Sequence, residues 1–275
     1  MSKLYVIGDP VAHSKSPLLH NTMCRILSLD FDYACRTVKR GELPEFLSAV
    51  KTENCAGFNA TMPFKELLLP YLDEIDPFAK KLGAVNTVCI KDGKLYGYNT
   101  DCPGYIAALN RRGFHPAGKR VAMLGAGGAA RAVAVGLCEA GARVDIFNRT
   151  LTRAEETASL CAGQAQAHEW TEKSLGAVLP EVDLLVNCTS LGMVGQGEFP
   201  SFEFLRVLPA QCLVSDLIYH PAPTALLREA AALGVETMDG FPLLIHQAIL
   251  ALELFAGVSI DPDAVLPALE EAVRT

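Results

Sequence analysis

Between Val121 and Phe147 the chain reads as strand, glycine turn, helix and strand, and no other segment constrains the fold as tightly. Val121 to Leu124 is a short apolar run of strand type. Gly125-Ala126-Gly127-Gly128-Ala129-Ala130 follows it, Ala129 to Ala140 has helical composition and stops at Gly141, and Arg143 to Phe147 reads as a second strand. A strand–turn–helix–strand unit of about thirty residues places its two strands parallel in one sheet, with the helix crossing over between them. The turn satisfies G-x-G-x-x-A. Its first glycine permits a tight turn, its second lets the backbone approach a pyrophosphate, and Ala130 keeps helix and strand close. Unpaired amides at the helix start then attract an anion. Gly125, Ala126, Gly127, Gly128 and Ala129 are therefore the expected dinucleotide loop.

The same alternation extends along the chain. Leu4 to Gly8 reads as a first strand, and Pro17 is placed to open a helix through about Ser28. Phe31 to Arg36 reads as a strand, Gly41 to Val50 as a helix and Gly57 to Asn59 as a short strand, with Lys65 in the first turns of another helix. Val85 to Lys91 and Lys94 to Tyr98 flank Asp92-Gly93, a strong hairpin signal that adds antiparallel strands to a mostly parallel sheet. Val182 to Asn187 and Cys212 to Asp216 supply later strands, and from Gly240 the chain reads as helical. Helices with no sheet of their own must pack on something already built. The expectation is an α/β protein of two domains with a ligand cleft between them. Residues 1–102 plus 240–275 form an α/β substrate domain with a mostly parallel sheet, and residues 103–239 form a Rossmann-like dinucleotide-binding domain.

A chain of 275 residues that is 50% apolar can bury two ordinary cores. Its net charge of −7 argues against a nucleic-acid or anionic-membrane partner, since both demand a basic face. No long apolar run suits a membrane span; Phe241 to Val258 comes nearest and is interrupted by His246, Gln247 and Glu253. The start lacks the apolar core of a signal peptide. Nine cysteines without a CxxC pair suit reduced thiols in the cytosol, and the six histidines show no metal-ligand spacing. A cytoplasmic protein with no metal and a small-molecule ligand is the expectation.

Cofactor choice is read at the end of the second strand of the βαβ unit. An NAD site places a carboxylate there for the ribose hydroxyls. This chain has Asn148-Arg149-Thr150, with Arg153 one turn on. Two guanidinium groups suit a 2′-phosphate, so NADP is expected. The bland alternative is that the arginines only solvate a helix start, but positive charge at a helix N-terminus opposes the dipole and implies an anion nearby.

Three polar clusters end apolar runs in the first hundred residues: Asn59-Ala60-Thr61 with Lys65 close behind, Asn86-Thr87, and Asn99-Thr100-Asp101. Hydrogen-bonding side chains recurring at strand ends suggest one lined pocket. Lys65 and Asp101 are the two charged types needed to move a proton. Hydride delivery to a ketone leaves an alkoxide that a positioned ammonium can protonate, and partial burial with a nearby carboxylate tunes a lysine for that task. Read alone, Lys65 is equally a surface helix residue beside Glu66, and the Asn-Thr pairs are equally turn residues.

His13-Ser14-Lys15-Ser16-Pro17, Asn59 to Lys65, Gly83 to Thr87 and Asn99-Thr100-Asp101 resemble the substrate signatures of the shikimate dehydrogenase family. Gly125 to Ala129, Asn148-Arg149-Thr150, Asn187 to Gly192 and Asp239 to Gln247 resemble that family's cofactor half and closing helix. The motifs come in the expected order over nearly the whole chain. The resemblance implies reversible NADPH-dependent reduction of 3-dehydroshikimate to shikimate, on the way to chorismate and aromatic amino acids. It also implies that the C-terminal helices return to the N-terminal domain.

By position, the resemblance gives Ser14 and Ser16 to the substrate carboxylate, where a solvated helix cap is the bland alternative. It gives Thr61, Asn86, Asp101 and Gln247 to the ring hydroxyls, Lys65 and Asp101 to catalysis, and Tyr219 to the substrate, although a tyrosine there could simply pack. Thr189, Leu217 and Gly240 match positions lining the nicotinamide end. The chain departs from the pattern in Phe241-Pro242-Leu243, where the family commonly has Leu-Gly-Met after Asp-Gly. It departs again in Cys102-Pro103, where glycine usually follows Asn-Thr-Asp, and in Ala60, where valine is frequent. Three rival readings stand beside this one. They are a quinate/shikimate or aminoshikimate dehydrogenase of the same family, a folate-type dehydrogenase without the serine pair, and a ligand-binding regulator that lacks turnover. A monomer and a homodimer both remain open.

Overall fold

The structure, a computed structural model, describes residues 1–274. It divides into two compact units: residues 1–104 together with the chain from Ile245 onward, and Tyr105–Leu244.

The first unit is built on a mixed six-stranded sheet. Its elements are β1 (Ser2–Gly8), α1 (Ser16–Ile26), β2 (Phe31–Thr37), α2 (Leu43–Thr52), β3 (Cys55–Ala60), the single-turn α3 (Phe64–Leu67), the two-residue β4 (Glu74–Ile75), α4 (Pro77–Leu82), β5 (Thr87–Lys91) and β6 (Lys94–Tyr98). The strand order is β2-β1-β3-β5-β6-β4. β2, β1 and β3 run parallel, β5 is antiparallel to β3, and β6 is antiparallel to β5. Asp92 and Gly93 close the β5–β6 hairpin with φ of 50° and 73°, the left-handed pair that the tightest hairpin turn requires. Leu4, Val6 and Ile7 of β1 are buried between β2 and β3, and a cluster including Phe46, Phe58, Phe64 and Leu68 fills one face.

Topology decides where the polar clusters fall. The carboxyl ends of β1 and β3 lie side by side, and Asn59 of β3 is opposite Thr87 at the amino end of β5. Thr87 is in turn opposite Tyr98, the last residue of β6. Alternating directions thus bring Thr61, Asn86-Thr87 and Asn99-Thr100-Asp101 to one end of one sheet, although they are scattered over some forty positions of sequence.

α5 (Asp101–Arg111) and α10 (Phe241–Ala256) each begin in one unit and continue into the other, and α11 (Pro262–Arg274) completes the first unit. α10 returns to the β3–β5 region. A β-carbon on Gly57 of β3 would stand 2.6 Å from the Phe255 ring, so this glycine admits the helix. No helix among the described residues is long and apolar enough to cross a membrane.

The second unit holds β7 (Arg120–Leu124), α6 (Gly128–Glu139), β8 (Arg143–Asn148), α7 (Leu151–Ser159), β9 (Ala165–Glu169), α8 (Glu172–Val178), β10 (Leu184–Asn187), β11 (Leu213–Asp216), α9 (Ala225–Ala232) and β12 (Glu236–Met238). All strands are parallel in the order β12-β11-β10-β7-β8-β9. This is the doubly wound dinucleotide-fold order, and it reverses between β7 and β10. Val121 to Leu124 and Leu184 to Val186 are buried without alternation, as strands covered on both faces must be.

Candidate active site

Lys65 sits in the first turn of α3 and Asp101 opens α5. Their side chains meet: Nζ lies 2.6 Å from Oδ2, with the two side chains 34% and 25% exposed. Lys65 is therefore held at the polar end of the sheet and not out in solvent beside Glu66. Backbone bonds fix both residues. The Lys65 carbonyl accepts from the Val85 amide at 2.8 Å, and the Asp101 amide donates to Asn99 Oδ1 at 3.1 Å. A half-buried ammonium with one carboxylate partner can give up a proton and recover it.

Asn86, Thr61, Ser14, Ser16 and Gln247, singled out in the sequence for the substrate, lie in the same unit. Asn86 is buried, with Oδ1 accepting from the Thr100 amide at 2.8 Å and Nδ2 donating to Thr100 Oγ1 at 3.0 Å. Thr61 follows β3, its amide bonded to the Ile7 carbonyl at 2.9 Å. Its methyl would lie 2.5 Å from a β-carbon on Gly8, so only glycine there leaves Thr61 its place. Ser14 Oγ lies 3.1 Å from Ser16 Oγ and accepts from the Ser16 amide at 3.2 Å, which forms a compact pair at the start of α1. Lys15 between them turns away and donates to the Val273 carbonyl at the end of α11. Gln247 is buried on α10, where a β-carbon on Gly104 would stand 2.7 Å from its backbone nitrogen. α5 and α10 thus touch backbone to backbone one turn after Asp101.

In the second unit the glycine turn leaves room for a pyrophosphate. Gly127 and Gly128 are exposed and β-carbons there would meet nothing within 4 Å. Ala126 is half-buried and Ala129 exposed, while Ala130 is fully buried against the sheet. Gly127 caps α6 with no side-chain hydrogen bond, so the first amides of that twelve-residue helix are open to an anion. Gly125 has φ of 103° and a β-carbon there would lie 2.8 Å from the Thr189 methyl, so this position is closed to any larger residue. At the end of β8, Asn148 Nδ2 donates to the Thr150 carbonyl at 2.9 Å, and Arg149, Thr150 and Arg153 are exposed at the start of α7. Open amides, a close-approach glycine and two exposed guanidinium side chains form a donor set that fits a phosphorylated dinucleotide.

Thr189 and Leu217 are held by a buried network that the sequence did not reveal. Asp216, fully buried at the end of β11, accepts from Asn187 Nδ2 at 3.0 Å, Thr224 Oγ1 at 2.8 Å and the Ile218 amide at 3.1 Å. Asn187 Oδ1 accepts from the Thr189 amide at 3.0 Å and hydroxyl at 2.7 Å, and its carbonyl accepts from the Leu217 amide at 3.1 Å. Burial pushes the Asp216 carboxyl up to about 6, and its three donors oppose the rise. The missed signal is a carboxylate closing a short, wholly buried strand, Leu213–Asp216. Gly240 packs so closely that a β-carbon would meet the Leu217 carbonyl at 2.3 Å. Tyr219 is 37% exposed with its ring 5.9 Å from that of Phe241, so it packs on one side and stays accessible on the other.

The sequence departures are absorbed at helix starts. Pro242 is the second residue of α10 and Pro103 the third of α5, where an amide has no intrahelical acceptor to lose. Cys102 is buried beside Asp101. All nine cysteines are free, and no group of three metal-ligating side chains occurs among the described residues.

Comparison with known proteins agrees with both units. Residues 6–88 match the shikimate dehydrogenase substrate binding domain, and residues 108–194 match the shikimate / quinate 5-dehydrogenase family. A shikimate dehydrogenase (NADP+) of Alkaliphilus metalliredigens is 41% identical over 260 residues, spanning 92% of this chain and 90% of its own. The crystal structure of the Thermus thermophilus shikimate 5-dehydrogenase, in complex with NADP(H) and shikimate, superposes with a TM-score of 0.87 at 38% identity, covering 100% of this chain and 99% of that one. A ligand-free 5-ketofructose reductase of a Gluconobacter strain superposes with a TM-score of 0.88 at 34% identity, with 98% of each chain covered. Polar strand ends, an open glycine turn and these likenesses converge: the chain belongs to the shikimate dehydrogenase family.

Proposed function

We propose that this protein is an NADP-dependent shikimate dehydrogenase, reducing 3-dehydroshikimate to shikimate reversibly. The observation that carries the reading is the 2.6 Å Lys65–Asp101 couple at the polar end of the first sheet. When bound, a reduced nicotinamide supplies the hydride. The residues of the chain do the rest. Lys65 Nζ donates a proton to the oxygen that gains negative charge, and Asp101 holds that ammonium in position and accepts from a ring hydroxyl. A ligand-binding regulator has no need of such a couple.

Ser14 and Ser16 bind the substrate carboxylate with neutral donors. Thr61, Asn86 and Gln247 satisfy the ring hydroxyls, since an alcohol oxygen accepts from an amide hydrogen as readily as it donates. The family pattern assigns Tyr219 to the substrate as well. Gly125 to Ala129 receive the pyrophosphate, and Thr189, Leu217 and Gly240 line the nicotinamide end. Asn148, Arg149, Thr150 and Arg153 form the 2′-phosphate site, concentrating positive charge in a protein whose net charge is −7. Free thiols throughout support work in the reducing cytoplasm.

The test is absorbance at the reduced-nicotinamide band with shikimate and NADP, run beside quinate and beside 5-ketofructose with NADPH. Turnover greatest with shikimate and NADP is the expected result. Greater turnover on quinate would favour the shikimate/quinate reading. Greater turnover on 5-ketofructose would remove the need for the Ser14–Ser16 carboxylate site.

A further inference from the structure

The buried side chains behind Asn86 form a chain of hydrogen bonds whose direction is fixed at both ends by the backbone. Tyr33 Oη lies 2.7 Å from Asn59 Oδ1. Asn59 Nδ2 lies 2.9 Å from Thr87 Oγ1 and 3.1 Å from the Asn86 carbonyl. Thr87 Oγ1 lies 2.9 Å from Asn86 Oδ1, which is 2.8 Å from the Thr100 amide. A backbone carbonyl can only accept, so the Asn59 atom facing the Asn86 carbonyl is its nitrogen. A backbone amide can only donate, so the Asn86 atom facing the Thr100 amide is its oxygen. Neither side-chain amide can be turned over without placing like groups together.

Every hydroxyl between them is then oriented. Tyr33 donates to Asn59; burial pushes its phenol well above the ordinary value, which keeps it protonated. Thr87 accepts from Asn59 and gives its one hydrogen to Asn86, since otherwise two acceptors would meet at 2.9 Å. Tyr33 is itself fixed by the His20 ring stacked on it, centroid to centroid 4.1 Å and 6° from parallel. Asn86 Nδ2 carries two hydrogens, of which Thr100 Oγ1 takes one at 3.0 Å; on the reading of Asn86 as a substrate residue, the other goes to the ligand.

We infer that Tyr33, Asn59 and Thr87 form a positioning relay that holds Asn86 as a hydrogen-bond donor toward the substrate, and so selects a ring oxygen that accepts. The inference rests on the reading of Asn86 as a substrate residue. Thr87 is the critical link, being fully buried and touching the amide it orients.

The experiment measures kcat and both KM values for Thr87→Val, Thr87→Ser, Tyr33→Phe and Asn86→Ala with shikimate and NADP in the full chain. Thr87→Val keeps the shape and removes the donor. It is expected to raise the shikimate KM about tenfold with the NADP KM within about twofold, as the loss of one oriented hydrogen bond allows. Thr87→Ser restores the wild-type value within about threefold. Tyr33→Phe, which keeps the stacked ring, raises the shikimate KM by roughly two- to fivefold; it decides the matter if the valine variant does not fold. Unchanged KM values, equal rises in both, or a serine variant as impaired as the valine variant would overturn the relay. If Asn86→Ala leaves the shikimate KM unchanged, the reading of Asn86 falls. If Asn86→Ala raises it while Thr87→Val does not, only the relay falls.

Discussion

Gly104 of α5 and Gln247 of α10 approach so closely that a β-carbon on the glycine would lie 2.7 Å from the Gln247 nitrogen and 2.8 Å from its α-carbon. This approach links the C-terminal helix to the site, because α5 begins at Asp101. Gly104→Ala must push the helices apart, since the obstacle is backbone and not a flexible side chain. The expected cost is about 1–3 kcal/mol of stability, the usual scale for overpacking, with a raised shikimate KM as Gln247 and Asp101 separate. Thermal unfolding and steady-state kinetics together check it. A variant of normal stability and normal KM would show that the contact is not tight.

The glycines of the nucleotide turn should divide into two kinds. Gly127 has extended backbone and open space around it, so Gly127→Ala should leave thermal stability nearly unchanged. A methyl there occupies the path of the pyrophosphate, and NADP affinity should fall at least tenfold, about 1.4 kcal/mol. Gly125→Ala meets both a φ of 103° and the Thr189 methyl at 2.8 Å, and should lose stability as well as affinity. Fluorescence titration with NADPH beside a melting curve separates the two. Equal stability losses in both variants would contradict the account.

Arg149 and Arg153 should matter only to the phosphorylated cofactor. Replacing either with alanine removes a charge-assisted contact worth about 1.5–3 kcal/mol. The KM for NADPH should rise roughly ten- to a hundredfold while that for NADH changes little. A parallel rise for both cofactors would assign the arginines to fold and not to the 2′-phosphate.

Asp216 should leave a pH signature on stability. Its folded-state value of about 6 lies above the ordinary 3.8, so the native state holds this proton more tightly than the unfolded chain does. The stability it contributes is complete below about pH 4 and is lost as pH rises through 6, a change of about 3 kcal/mol. Asp216→Asn abolishes the titration and can still accept from Asn187 and Ile218 while donating to Thr224. The stability of the variant relative to wild type should therefore increase from pH 4 to pH 7. Melting temperatures across that range check the sign, and a relative stability that falls with pH would show that the carboxylate is stabilised in place.

The sequence revealed what is local. The hairpin at Asp92-Gly93, the helix opened by Pro17 and the βαβ unit around Gly125 are each set by neighbours within a few residues, and each stands where its signals put it. β9 carries no such signal. Its residues Ala165 to Glu169 are largely polar because it is an edge strand, and His168 is held there by Asp145 at 2.7 Å. β4 is two residues long and invisible to any periodicity. At the site, the residue types of Lys65 and Asp101 announced proton chemistry, but their meeting depends on the antiparallel β5–β6 insertion. The relay through Tyr33, Asn59 and Thr87 and the network around Asp216 were hidden because they too depend on which strands become neighbours. Each joins residues far apart in sequence whose types, taken singly, are ordinary turn or strand residues.

The central claim is that Lys65 supplies the proton and Asp101 holds it in place. The most direct measurement is the turnover of Lys65→Ala with shikimate and NADP, alongside the dissociation constant for shikimate. The expected result is a kcat lowered by roughly a hundredfold or more, with a much smaller change in affinity. A variant that turns over at the wild-type rate would contradict the assignment and remove Lys65 from the mechanism.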